Sequence, residues 1–320
     1  MDLSESVKTP GIEDVQKAYS VVQKYAHKTP VLTSRLVNKE LGCEVFLKCE
    51  NFQRVGAFKF RGASNAVFSL SDEAAKKGVC THSSGNHAAA LALAASLRGI
   101  PSYIVMPANA PTVKRKAVES YGAIITTCEP TQADREKTLE EVQKKTGATF
   151  IHPYNNYNVI CGQGTASLEL LEEIPNLNSI IAPVGGGGLY SGTLTYAKGF
   201  NPNISAYGAE PKNADDAFRS VRDNTLYPSA NPNTIADGLR TSLCPLTFSI
   251  IKNHSNGILT VSEEEIVKAM RLIWERMKII IEPSSAVPVA AIMANPKLFE
   301  KQKVGVIISG GNVELSCLPF

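Results

Sequence analysis

The sequence predicts an α/β protein with largely parallel sheets. Short β-branched runs alternate with helix-like stretches along most of the chain, the pattern of strands joined by helical crossovers. Three of these runs end in small polar or glycine-rich loops, where open α/β sheets place their ligands. At 320 residues, the chain is long enough for two cores.

An amphipathic helix opens the pattern, because Ile12, Val15, Tyr19 and Val22 recur at helical spacing. The candidate strands are Glu44–Cys49, Gly78–His82, Ser102–Met106, Ala123–Thr127, Ile180–Val184, Ile204–Ala209 and Val304–Ile308. Between them lie the helix-like stretches Asn86–Leu97, Pro111–Tyr121, Ala133–Lys145, Gly164–Glu173 and Ser262–Met277. No internal repeat or low-complexity tract interrupts the series, so composition alone does not mark domain limits.

Composition narrows the class of function. Hydrophobic content of 43% and charged content of 20% suit a soluble enzyme. A formal net charge of +3 is too slight to imply nucleic acid or an anionic membrane as partner. Lys114-Arg115-Lys116 reads as a solvated helix face. Asp2, Glu5, Glu13 and Asp14, without an apolar core segment, argue against a secretory or transit leader. No run reaches the roughly 20 apolar residues that span a bilayer. Seven cysteines, an odd number without a Cys-x-x-Cys pair, fit free thiols in a reducing compartment. The expected location is cytoplasmic.

Four separated segments carry the chemistry. Lys59, flanked by Phe58 and Phe60, would be desolvated in an apolar wall, and its lowered pKa would favour imine formation. Taken alone, it more readily fits a surface lysine whose stem packs on a phenylalanine. Gly185, Gly186, Gly187 and Gly188 join a strand to a helix and can aim several N–H groups at a phosphate. A flexible turn would spend four glycines at high entropic cost, and neither a dinucleotide nor a P-loop spacing follows. Ser83-Ser84-Gly85-Asn86-His87 can grip a carboxylate, or Ser84 or Asn86 can simply cap a helix. Ser309-Gly310-Gly311-Asn312 closes the last apolar strand, where a hydroxyl can meet a pyridine nitrogen or a plain turn can form.

Taken together, the segments resemble the fold-type II pyridoxal 5′-phosphate (PLP) enzymes of the serine racemase and serine/threonine dehydratase family. The resemblance runs from Lys28-Thr29-Pro30-Val31-Leu32 to Ser309-Gly310-Gly311-Asn312-Val313. Gly162-Gln163-Gly164-Thr165, Ile235-Ala236-Asp237-Gly238 and Glu275-Arg276-Met277-Lys278 add to it. Within the family the chain is most similar to eukaryotic serine racemases and 3-hydroxyaspartate dehydratases. The resemblance implies a tryptophan synthase β-like fold, with two open, twisted, mostly parallel sheets flanked by helices. It implies a large PLP-binding domain of residues 1–71 and 149–320, a small domain of residues 72–148 inserted in it, and a homodimer.

Residue roles follow from the same resemblance. Lys59 would hold the cofactor as a Schiff base and act on one face, with Ser84 as acid/base on the other. Asn86 would contact the ring hydroxyl, Gly185–Gly188 the phosphate and Ser309 the ring nitrogen, with Phe58 and Tyr154 beside the cofactor. Ser83, His87 and Arg135 would hold an amino acid substrate. Glu210, the Ala214 carbonyl and Asp216 offer hard oxygens for Mg²⁺ or Ca²⁺, although such a run also reads as an acidic surface loop. Lys114, Tyr121 and Asn312 match a nucleotide site at which ATP would activate. The expected reaction is serine racemisation with serine/threonine dehydration. The alternatives are L-threo-3-hydroxyaspartate dehydration, β-replacement of the cysteine synthase kind, and a silent PLP- or nucleotide-binding protein. Ala57, Ala89 and Tyr154 depart from the racemase pattern and pull the reading towards dehydration.

Overall fold

The computed structural model describes residues 8–110 and 112–320. Asp2, Glu5 and Pro111, all used in the sequence reading, lie outside the described residues. Among the described residues, ten strands form two sheets: β1 (Val31–Leu32), β2 (Glu44–Cys49), β3 (Val79–His82), β4 (Ser102–Pro107), β5 (Ile124–Cys128), β6 (Thr149–Phe150), β7 (Ser179–Pro183), β8 (Ser205–Pro211), β9 (Ile258–Val261) and β10 (Lys303–Ile308).

The larger sheet has the order β1-β2-β10-β7-β8-β9, and the smaller the order β5-β4-β3-β6. Among the described residues, β1–β2 is the only antiparallel pair of named strands. The last strand therefore threads between β2 and β7, pairing Val304 with Val45 on one side and with Ser179 on the other. A parallel strand buried on both faces needs continuous apolar sequence. Strand β7 is buried throughout, and β10 is buried after its first residue.

All seven expected strands form, Glu44–Cys49 as expected and the others with an end shifted by one or two residues. Strands β1, β6 and β9 were not foreseen, being two to four residues long. Since β6 pairs with β3, the small sheet runs to Phe150, two residues past the boundary set at Ala148. The helix expected from Gly164 starts earlier, at Tyr157, where the Asn156 side chain accepts the Val159 N–H. Gly162 hides that helix in the sequence, yet it serves packing. A Cβ there would stand 2.7 Å from the Arg61 carbonyl, so the Tyr157–Glu173 and Lys59–Phe68 helices meet backbone to backbone.

A buried ionic cluster locks the same two helices to β2. Arg61 donates to Glu50 at 2.7 Å and 2.9 Å and to Glu169 at 2.7 Å and 2.9 Å, while Lys48 sits 2.6 Å from Glu169. None of the four side chains is more than 2% exposed. Thr29 and Thr165 complete the hydrogen bonding. The Lys59–Phe68 helix also packs Phe60, Ala63 and Val67 against Ala88, Leu91 and Ala95 of the Asn86–Arg98 helix. Lys59 is thus carried by an element held on two sides.

Candidate active site

Loops at the carboxyl ends of β3, β7 and β10 converge on one cavity of about 990 Å³. Its wall includes Phe58, Lys59, Ser83, Ser84, Asn86, His87, Arg135, Tyr154, Gly185–Gly188 and Ser309. The four segments singled out in the sequence therefore lie side by side.

Two tethers fix Lys59 against the last strand. Ala57 forms a bridge with Gly310, and the Phe58 N–H donates to the Ser309 carbonyl at 2.9 Å. Just upstream, Val55 adopts a φ of +56°, a left-handed conformation that a β-branched residue rarely takes. Its carbonyl accepts from Asn312 Nδ2 at 2.7 Å, which holds the strained turn to the Ser309 loop. Lys59 Nζ donates to the Pro153 carbonyl at 3.0 Å and lies 5.1 Å from the centre of the Phe58 ring. Desolvation lowers its pKa to about 8, against the opposing charge of Glu282.

The glycine loop turns through Gly187, whose φ is +83°, into the Gly188–Phe200 helix. Among the described residues, the N–H groups of Gly185, Gly186 and Gly187 meet no backbone acceptor. They sit at the positive end of a helix, free for an anion. Tyr154 crowds this loop: a Cβ on Gly186 would stand 2.3 Å from its ring. Burial pushes the Tyr154 phenol up to about 12, so it stays a donor at neutral pH.

Three imidazoles line the cavity, all held neutral chiefly by desolvation: His87 at about 3, His152 at about 4, and His82 below its ordinary value. Partners fix two tautomers. His87 Nε2 donates to the Ile151 carbonyl at 2.9 Å and leaves Nδ1 buried without a partner. His152 Nδ1 accepts the Asn155 N–H at 2.9 Å, which puts its hydrogen on Nε2. Arg135 lines the cavity, with its Nε buried and without a partner among the described residues.

Glu282 was missed in the sequence. Only 4% exposed, its carboxylate accepts from Asn86 Nδ2 at 3.2 Å and from the Asn312 N–H at 3.2 Å. Burial raises its pKa to about 7, with the Asp237 charge adding to the effect. The available signal was a carboxylate between the apolar run Ile279-Ile280-Ile281 and a helix-opening proline. His82, His152 and Asp237 were also missed, and all three line the cavity.

Of the nucleotide candidates, Lys114 is paired with Asp237 at 2.9 Å and Asn312 bonds Asn86 at 2.9 Å. Both line the cavity, whereas Tyr121 packs against the apolar cluster around Leu91. The cation candidates gather at the carboxyl end of β8, Glu210 within the strand and Ala214 and Asp216 just after it. Glu210 accepts the N–H groups of Ala217 and Phe218, while neither carboxylate oxygen of the 1%-exposed Asp216 finds a partner. Burial holds Asp216 at about 6 and Glu210 well above its ordinary range. Two buried carboxylates, one of them orphaned, fit a hard divalent cation with the nearby Ala214 carbonyl.

The model of the pyridoxal-phosphate dependent enzyme family matches residues 22–310. The chain belongs to that family. It is 49% identical over 311 residues to the beta-hydroxyaspartate dehydratase of Paracoccus denitrificans, covering 97% of this chain and 99% of that one. It is 50% identical over 318 residues to the serine racemase of Dictyostelium discoideum, covering 98% of each. The crystal structure of that racemase superposes with a TM-score of 0.93 over 96% of this chain and 100% of that chain. The α/β fold with mostly parallel sheets is that of the fold-type II members.

The residues present fit the family's cofactor. An unpaired glycine nest suits the phosphate, Lys59 the aldehyde and Ser309 the ring nitrogen. Only the neutral amine attacks an aldehyde, so cofactor loading should quicken as pH rises through about 8 and then level off. Removing the Glu282 charge takes away the influence that raises the Lys59 pKa. Glu282→Gln should therefore move this profile to lower pH. Stopped-flow absorbance at a series of pH values checks both expectations.

Proposed function

We propose that the protein is a PLP-dependent serine racemase that also dehydrates serine or threonine to an α-keto acid and ammonia. The observation carrying this reading is that Lys59 and Ser84, the two candidate proton-handling groups, line one cavity with the glycine nest and Ser309. When bound, PLP supplies the electron sink that makes an amino acid's α-proton acidic. The lowered pKa of Lys59 keeps a useful fraction of its amine neutral and able to take that proton. Ser84 is assigned the return of a proton on the opposite face. Loss of the substrate's β-hydroxyl in place of that return gives dehydration. His87 and His152, held neutral, orient groups without acting as acids near pH 7.

Incubation of PLP-loaded protein with L-serine, D-serine, L-threonine and L-threo-3-hydroxyaspartate tests the reading. Chiral amino acid analysis and keto-acid release are followed together. D-serine from L-serine supports it, with pyruvate giving the partition; no product from any of the four substrates sinks it. Cysteine formation from O-acetylserine and sulfide alone would establish β-replacement.

A second reading, 3-hydroxyaspartate dehydration, is favoured by Arg135, which lines the cavity and brings a cation suited to a second substrate carboxylate. A hydrogen bond to a charged group is worth about 1.5–3 kcal/mol, or about 10- to 100-fold. Arg135→Gln should lower kcat/KM for 3-hydroxyaspartate by that factor and that for serine by much less. Equal losses on both substrates would remove this support.

The reading extends to a divalent cation on Glu210, Ala214 and Asp216. Mg²⁺ or Ca²⁺ at 100-fold over its Kd should stabilise the protein by about 2.7 kcal/mol. The rise in Tm should vanish in Asp216→Asn. The reading further includes a homodimer in the cytoplasm; no helix among the described residues is long and apolar enough to cross a membrane. For ATP activation, the support is Lys114 and Asn312 at the cavity, without Tyr121.

A further inference from the structure

Ser285 lies in the first turn of the Pro283–Ala294 helix, fully buried, and none of the roles above uses it. Its Oγ has three polar neighbours. The Gly310 N–H donates to it at 2.7 Å, the Gly310 carbonyl stands 2.7 Å away, and Ser309 Oγ stands 2.9 Å away. A hydroxyl has one hydrogen and two lone pairs. The Gly310 N–H takes one lone pair, so the single hydrogen must choose between the Gly310 carbonyl and Ser309.

The choice is open because the Gly310 carbonyl already has a donor, the Glu282 N–H at 3.0 Å. If Ser285 turns to Ser309 the carbonyl keeps that donor, and its 2.7 Å contact with Ser285 Oγ, no longer bridged by a hydrogen, lengthens. With Ser285 donating to Gly310, Ser309 spends its own hydrogen on Ser285 and shows only lone pairs to the cavity. With Ser285 donating to Ser309, the Ser309 hydrogen is released towards the cavity, and its donation is strengthened by the bond behind it.

We propose that Ser285 is a positioning residue that sets Ser309 as hydrogen-bond donor to the ring nitrogen, so that the nitrogen binds unprotonated. The proposal rests on the reading that this cavity holds PLP. It concerns how electron-withdrawing the ring is, and therefore how far the site leans towards prompt elimination.

The test is the ¹⁵N resonance of ring-labelled PLP bound to wild type, Ser285→Ala, Ser309→Ala and the double variant at one fixed pH. Wild type should show a hydrogen-bonded, unprotonated nitrogen. Ser285→Ala should move the resonance towards that of free unprotonated pyridine, and Ser309→Ala should move it further. The double variant should match Ser309→Ala alone, because the effect of Ser285 passes through the Ser309 hydroxyl. Should Ser285→Ala not fold, Ser285→Cys keeps a weaker donor and should give a smaller shift in the same direction.

An unchanged resonance in the Ser285 variant would overturn the proposal. So would a Ser285 effect that persists in full without the Ser309 hydroxyl, the mark of a structural role alone. A protonated nitrogen in wild type would overturn it too, while leaving the PLP reading intact. Failure of wild type to bind the labelled cofactor would instead overturn both together.

Discussion

Lys59→Ala is expected to leave a folded protein that no longer anchors its cofactor covalently and turns over no hydroxy amino acid. Two losses combine. The covalent attachment point goes, and so does the amine whose pKa is lowered to about 8 inside the cavity. The proton-transfer part alone is worth about 10²- to 10⁴-fold. The visible absorbance of the lysine-bound cofactor should disappear, while the far-ultraviolet circular dichroism stays that of wild type. Retained racemisation at more than a few per cent of wild type would move the chemistry to another residue.

The largest effect on stability is expected from Arg61→Met. This change leaves Glu50 buried without its guanidinium partner and removes two bonds from Glu169. Uncompensated buried charge of this kind costs about 3–5 kcal/mol. Burial alone would raise the Glu50 pKa, but the Arg61 charge and hydrogen bonds, with Lys48, outweigh it and hold the carboxyl below its ordinary value of 4.5. Its contribution is therefore present above that value and is lost as pH falls through the lowered one. Arg61→Met should lower the urea midpoint most at neutral pH and less in acid. Arg61→Met with Glu50→Met should recover part of the loss, because both charges then leave the interior. A neutral single substitution would mean that the cluster relaxes around the gap or admits water.

The strands and the loops at their ends were legible because burial of a parallel sheet forces continuous β-branched sequence, and chemistry forces small residues next to it. Val304–Ile308 followed by Ser309-Gly310-Gly311 is such a case. Charges gave no comparable signal. Lys48, Glu50, Arg61 and Glu169 look in sequence like any exposed charges, because their partners are up to 121 residues away. Glu282 was silent for the same reason: its partner Asn86 is 196 residues distant. The Pro283–Ala294 helix escaped because it is buried on nearly every side and carries Pro288 within it. With no polar face, it has no amphipathic period to read. The Tyr157–Glu173 helix was expected only from Gly164, yet Gly162 and Gly164 both lie inside it, where tight helix contact requires glycine.

One consequence of the cavity's histidines reaches beyond the reaction. Imidazoles are the usual way a protein senses mild acidification, since their free pKa lies near 6.5. Here His87 and His152 are held at about 3 and about 4, and His82 is lowered as well. A swing between pH 8 and pH 5 would leave His87 and His152 uncharged. The site is thus deaf to acidity through those two histidines, and a carboxylate, Glu282 at about 7, does the listening in their place.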